Sequence, residues 1–358
     1  MVKRDILGLG RLAIEGTLRL TNIVEAMHRK IGGVPGGVPG GVPGTALIYE
    51  SVRALTRLTG RAIDLFPALP EGATTAEREA WLAALNGIVG DHLAATNNPL
   101  AIPMRLLPKG APTRKLAVLI HGLCMNPRQW TRNRHNHGSA LSRDLGYAPL
   151  HLHYNSGLHV STNGREFAAL LESLVAQWPL PVEDLVIVAH SMGGLVSRSA
   201  WHYASEAGHT WPHRLHKLVF LGTPHHGAPL ERAGNWLDTA LQLSPYTTPL
   251  AAVGKLRSAG ITDLRYGNLL DEDWEHLDRF APAGDRRRPL PLPANVQCFA
   301  IAAAGDRIVP VDSAFGRHPD PRRALPFGES HLMLGRDMNH WDLLNRRAVY
   351  QQLLSWLT

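Results

Sequence analysis

From Lys115 onward the chain alternates between short runs of consecutive apolar residues and stretches that are apolar at every third or fourth position. KLAVLIHG (115–122), LVIVA (185–189), HKLVFLGTP (216–224) and VQCFAIAAAGD (296–306) are unbroken apolar runs of strand length, the pattern of strands covered on both faces. APLHLHYN (148–155) alternates like a strand, and HLML (331–334) is a short one. Helical spacing marks Phe167–Trp178, the segment after Ser191, and Asp342–Leu357, while Asn126–Leu145 reads as helix or loop. This alternation predicts an α/β fold with a mainly parallel sheet and helices on both faces. Ligands of such sheets sit at the carboxyl ends of the strands.

The first 110 residues follow a different rule. Leu20, Ile23, Val24, Met27 and Ile31 share one face of a basic amphipathic helix over residues 1–31, which carries Arg4, Arg11, Arg19, Arg29 and Lys30. Two readings fit it: a helix packed on its own protein, or an anchor at a membrane surface. Gly32–Gly44 then repeats Gly-Gly-Val-Pro, turn chemistry that cannot build a core and therefore reads as a linker. Further helices are expected over Thr45–Phe66 and from Thr75 to about Thr96, the latter with Glu77 and Glu79 in its first turn. The predicted division is thus an N-terminal helical region (1–110) and a catalytic domain (111–358).

Composition narrows the classes. With 44% apolar and 19% charged residues, the 358-residue chain can bury a substantial core. Two cysteines, Cys124 and Cys298, give no disulfide framework, so a reducing, cytoplasmic setting is expected, with peripheral membrane contact through the N-terminal helix as the alternative. The net charge of +7 comes from scattered arginines without a nucleic-acid motif, so no nucleic-acid partner is expected. No apolar run is long enough to span a bilayer, and Arg11, Glu15 and Arg19 break the N-terminal segment as a signal peptide, which is read as uncleaved.

The chemistry centres on DLVIVAHSMGGLVSR (184–198). A buried strand running directly into a helix with Ser191 at the corner is a nucleophile elbow, here A-x-S-x-G because Ala189 stands at the first small position and Gly193 at the second. A serine hydroxyl needs a base, and in this architecture an acid and then a histidine follow it in the chain. Asp306 ends an apolar strand and is preferred as the acid over Asp312. Among nineteen histidines, His340 lies between the last strand and the final helix and is preferred as the base over His331. The backbone N–H of Met192 and that of Leu123, with Cys124 beside it, are the candidate oxyanion donors.

VLIHGL, VAHSMGG, FLGTPHHGAPL, GDRIVPVDSA and NHWDLL together resemble the lipase/esterase group of the α/β-hydrolases, bacterial triacylglycerol lipases and GPI inositol-deacylase-like hydrolases in particular. The resemblance covers residues 115–358 and implies a triad of Ser191, Asp306 and His340 with Leu123 and Met192 as the oxyanion hole. It implies hydrolysis of carboxylic esters on small-molecule or lipid substrates without a cofactor. An acyltransferase or a deacylase on a lipid-linked substrate is the alternative, and a non-enzymatic lipid-surface protein a more distant one. His190, His225 and His226 are expected on the substrate side, with the last two shaping the active-site rim. His209, His213, His216, His225 and His226 raise the question of a metal, but no Cys or H-E-x-x-H accompanies them and none is expected. The insertion at about 228–293 reads either as a lid, with Trp236, Leu237, Leu241 and Leu243 toward an acyl chain, or as a small helical subdomain on the sheet.

Overall fold

In the computed structural model, residues 75–228, 257–277 and 284–358 are described. The expected helices at 1–31 and 45–66, the linker at 32–44 and the acyl-facing residues Trp236–Leu243 lie outside them. In chain order the elements that position the site are α1 (Thr75–Ala95), β1 (Arg105–Pro108), β2 (Lys115–Ile120), α2 (His137–Leu145), β3 (Ala148–His153), α3 (Val160–Gln177), β4 (Asp184–His190) and α4 (Met192–Glu206). They continue with β5 (Leu215–Leu221), α5 (Ala259–Asp263), β6 (Gln297–Ala303), α6 (Val311–Ala314), β7 (Leu332–Gly335) and α7 (Arg347–Leu357).

The strands form one sheet of order β1-β3-β2-β4-β5-β6-β7. Only β1 runs antiparallel, on the edge against β3. The other neighbours are parallel, with one register shift between Leu185 and Val186 where β4 meets β5, and Ile120 pairs with Ala189, His190 with Leu221, and Leu221 with Ile301. The apolar runs are unbroken because each strand feeds two cores. Leu116, Val118 and Ile120 of β2 and Leu185, Ile187 and Ala189 of β4 face a core shared with α1, α3 and α4. Ala117, Leu119, Val186 and Val188 face the opposite core, under α2 and α7. Each fully buried valine, leucine or isoleucine contributes about 1.5–3 kcal/mol relative to exposure, so this two-sided covering fixes the register.

The element boundaries follow the pattern with small shifts. Helix α3 begins at Val160 rather than Phe167, because the Asp263 carboxylate accepts the Val160 N–H (2.8 Å) at its start. The final helical segment is divided into a 3-10 turn (Asp342–Leu344) and α7. Strand β1 was not expected: it is four residues long and mostly exposed.

Residues 75–95, grouped above with the N-terminal region, share the sheet's core. Trp81, Leu85, Ile88 and Leu93 are buried in it, and the side chain of Asn86 bonds Leu82 O, Leu100 O and Ile102 N–H (2.9 Å each). Glycines let the helix approach closely. A Cβ on Gly87 would collide with Cys124, and one on Gly90 with the Asn155 side chain. The described part of the insertion is also docked on the body: Ser258 Oγ donates to Gly87 O (2.6 Å), the Ala259 N–H to Asp91 Oδ2 (3.0 Å), and His159 stacks on Trp274 with ring centres 3.7 Å apart. Trp81→Ala is therefore expected to lower the stability of the whole domain by about 3–5 kcal/mol within a single unfolding transition. Urea unfolding followed by far-UV dichroism and by fluorescence checks this, and a separate early transition for 75–95 would contradict it.

Candidate active site

The carboxyl edge of the sheet gathers three loops. At the end of β4, Ser191 has φ 55° and ψ −128°, a conformation that costs a non-glycine residue about 1–3 kcal/mol. Its neighbours hold it there. The Ser191 N–H continues the ladder to Leu221 O (2.8 Å), and the Gly194 N–H bonds Ser191 O (3.0 Å). Helix α4 then passes so close to β2 that a Cβ on Gly193 would lie 2.5 Å from Ile120 O and 2.7 Å from His121 O. At Gly194 a Cβ would overlap the Thr223 hydroxyl.

The loop after β2 abuts this corner: a Cβ on Gly122 would lie 2.9 Å from Ser191 Cβ. Cys124 follows with φ 60° and donates its N–H to Ser156 Oγ (3.0 Å). The Tyr154 hydroxyl donates to His121 O (2.7 Å), and its ring stacks on the His121 imidazole. The N–H groups of Leu123 and Met192 have no acceptor among the described residues. For Met192 this follows from its place in the first turn of α4, where intrahelical acceptors do not exist. Burial pushes the Cys124 thiol up to about 12, so it packs as a neutral group.

Asp306 stands in the turn after β6. Its Oδ1 accepts the N–H groups of Ile308 (2.8 Å) and Val309 (2.9 Å), and its Oδ2 accepts His340 Nδ1–H (2.6 Å). Both side chains are almost fully enclosed. The loop carrying His340 is tied to this turn by Gly305 N–H to Met338 O and Ala304 N–H to Gly335 O. With Nδ1 engaged by the carboxylate, Nε2 is the imidazole nitrogen left for other chemistry. Gly222, at φ 60°, follows the residue that bonds Ser191, and a Cβ there would lie 3.1 Å from His340 Cε1. Ser191 and His340 thus flank the same Leu221-Gly222 step. The rival residues lie elsewhere: Asp312 is exposed and paired with Arg317, and His331 Nδ1 meets Cys298 O.

The histidines expected on the substrate side need correction. His190 is fully buried beneath the site, and its Nε2–H meets the His340 carbonyl (3.2 Å). His225 is also fully buried, edge-on to Phe220 and accepting from Arg198 at Nδ1 (3.3 Å). His226 is half-buried, with Nε2 on Gly316 O (3.0 Å). These imidazoles build the wall rather than the rim, which composition alone could not distinguish. His216 lies at the amino end of β5 beside Asp184, at the far edge of the sheet from His225. Among the described residues no group of three or more His, Cys, Asp or Glu side chains could hold a metal ion, and no helix is long and apolar enough to cross a membrane. Sequence reasoning missed Tyr154, Ser156 and the glycines of α1, which shape the Gly122–Cys124 loop through long-range contacts without a local motif.

The family described as PGAP1, PGAP1-like alpha/beta domain, matches residues 113–288. Sheet order and the serine corner define the fold as that of the α/β-hydrolases, and the family match spans its β2–β5 part. No curated protein matches it. Similar solved structures include the mature lipase BlEst2 of Bacillus licheniformis, 18% identical over 72% of this chain and 98% of that one, with a TM-score of 0.46. The Pyrococcus furiosus esterase Pf2001 is 14% identical over 72% and 84%, with a TM-score of 0.43. The Bacillus megaterium epoxide hydrolase is 13% identical over 72% and 97%, with a TM-score of 0.42.

Burial sets a pH limit on this architecture. It lowers His121 and His137 to about 3 and holds His190 and His225 well below 6.5, with the neighbouring His340 and Arg198 adding to the last two. Because the folded values are depressed, the stabilising contribution is complete above about pH 6.5 and is lost as pH falls toward the folded values. Each such histidine removes about 1.4 kcal/mol per pH unit below that point. Urea unfolding at pH 7.5 and 5.5 is expected to show a marked loss at the lower pH; equal or higher stability at pH 5.5 contradicts these neutral, buried imidazoles.

Proposed function

We propose that this protein is a serine hydrolase of carboxylic esters. The observation that carries the reading is the enclosed Asp306–His340 hydrogen bond (2.6 Å) at the sheet edge where Ser191 occupies a strained strand-to-helix corner. In the proposed reaction His340 Nε2 takes the Ser191 Oγ proton as Oγ attacks the acyl carbon. Asp306 remains ionised and stabilises the imidazolium, and its two backbone N–H bonds keep the carboxylate oriented. The oxyanion receives the Leu123 and Met192 N–H groups, and His340 then returns its proton to the leaving alkoxide. Water, deprotonated by His340, attacks the acyl-enzyme and releases the acid. No cofactor enters these steps.

A second reading, a deacylase acting on a lipid-linked ester, is favoured by the PGAP1-like match over residues 113–288 and uses the same groups. An acyltransferase would differ only in the acceptor of the acyl group.

Ser191→Ala is expected to lower kcat/KM on p-nitrophenyl esters by at least about 10³-fold with the fold unchanged, and Asp306→Asn to lower kcat by about 10⁴-fold. Near-native turnover by either variant refutes the mechanism. A series of acyl chain lengths, with and without an added alcohol acceptor, separates short-chain esterase, long-chain deacylase and transferase by the products formed.

A further inference from the structure

Alternation along β4 puts His190 on the face of Val186 and Val188, toward the core under α2 and α7, although it stands next to Ser191 in the chain. Its ring is fully buried among Trp130, His340 and Trp341, whose ring centres lie 6.5, 4.6 and 5.8 Å away. Nε2 is 3.2 Å from the His340 carbonyl, and a carbonyl only accepts, so the His190 proton sits on Nε2. Burial, and next the charge of His340, hold this imidazole well below 6.5, so it stays neutral and has that one N–H. Nδ1 is then a bare lone pair without a donor among the described residues, on the side of Gly122, where a Cβ would lie 3.4 Å away. The ring thus stands between the Gly122 loop and the loop of His340.

The His340 side chain is fixed at Nδ1 by Asp306. Its main chain belongs to neither strand nor helix, because β7 ends at Gly335 and the 3-10 turn begins at Asp342. Among the described residues the His340 carbonyl accepts from His190 alone. A second imidazole holds the turn that follows. His137 Nε2–H donates to Leu343 O (3.0 Å), and His135 Nε2–H donates to His137 Nδ1 (2.8 Å). Trp130 packs edge-on to both His137 and His190, with ring centres 6.4 and 6.5 Å away. The segment that carries the base therefore rests on two buried imidazole donors, one of them adjacent to Ser191.

We propose that His190 is a positioning residue for His340: its Nε2–H, bonded to the His340 carbonyl, sets where that imidazole stands relative to Ser191. The residue before the nucleophile thus holds the main chain of the base, and the two reacting groups move as one unit. The distance between reacting groups is a strong lever on rate, since a misplacement of about 1 Å can cost about 10²-fold. His190 acts through His340 alone, because it is fully buried beneath the site. The inference rests on the serine-hydrolase reading above.

Two substitutions in the full-length protein test the proposal. His190→Leu removes the donor at similar volume, and His190→Gln returns an amide N–H within reach of the same carbonyl. His190→Leu is expected to lower kcat on p-nitrophenyl esters by about 10²-fold with KM within about two-fold, and His190→Gln to recover most of that loss. A residue that only filled space would show the same loss in both. A second readout needs no turnover: the His340 Nδ1–H proton, enclosed against Asp306, gives a low-field NMR signal that should shift or broaden in His190→Leu and return in His190→Gln. Should His190→Leu not fold, the histidine nitrogen spectrum of the wild-type protein decides, with the His190 proton expected on Nε2. An Nδ1 tautomer, equal kcat in His190→Leu and wild type, no recovery in His190→Gln, or a His340 signal indifferent to the donor at position 190 would each overturn it. A signal that follows this donor in a protein inactive on esters upholds the tie and fails only the hydrolase reading.

Discussion

The backbone of Ser191 is the constraint on which the carboxyl edge depends. A left-handed φ at a non-glycine residue persists only when its surroundings over-determine it. Here the determinants come from two strands and a helix: the ladder bond to Leu221 of β5, the approach of Gly193 to the carbonyls at the end of β2, and the helix that begins at Met192. The same packing that forces the corner leaves the Met192 N–H at a helix start and brings the Gly122 loop against the serine. Strain and candidate oxyanion donors are therefore two consequences of one close approach.

That approach is supported from outside the span of the family match. Helix α1 lies ahead of residue 113, yet Gly87 packs directly on Cys124, the positive-φ residue of the loop, and Asn155 bonds Gly90 O (2.8 Å). The shape of the loop next to Ser191 thus rests on a helix that carries no catalytic motif. Ser258 Oγ reaches the carbonyl of the same Gly87, so the insertion, α1 and the loop meet at one point.

The buried strands were legible because both faces of the sheet are covered, which turns each strand into a continuous apolar run. The order of Ser191, Asp306 and His340 along the chain sufficed to expect an Asp306–His340 pair, since chain order in this topology dictates which loops share an edge. Other features left no local trace. Strand β1 is short and exposed, without alternation to betray it. Helix α1 is buried from Ala83 through Gly90, so no single apolar face identifies its partner. His190 and His225 could not be assigned to wall or rim, because a histidine's burial is set by distant residues such as Phe220 and the His340 carbonyl.

The central claim is that Ser191 is the activated nucleophile, and covalent labelling addresses it most directly. The intact protein, treated with a fluorophosphonate and analysed by peptide mass spectrometry, should carry one adduct, on Ser191, at near-stoichiometric yield. His340→Gln should lose that labelling while remaining folded. An adduct on another residue, or none on a folded wild-type protein, would contradict the account.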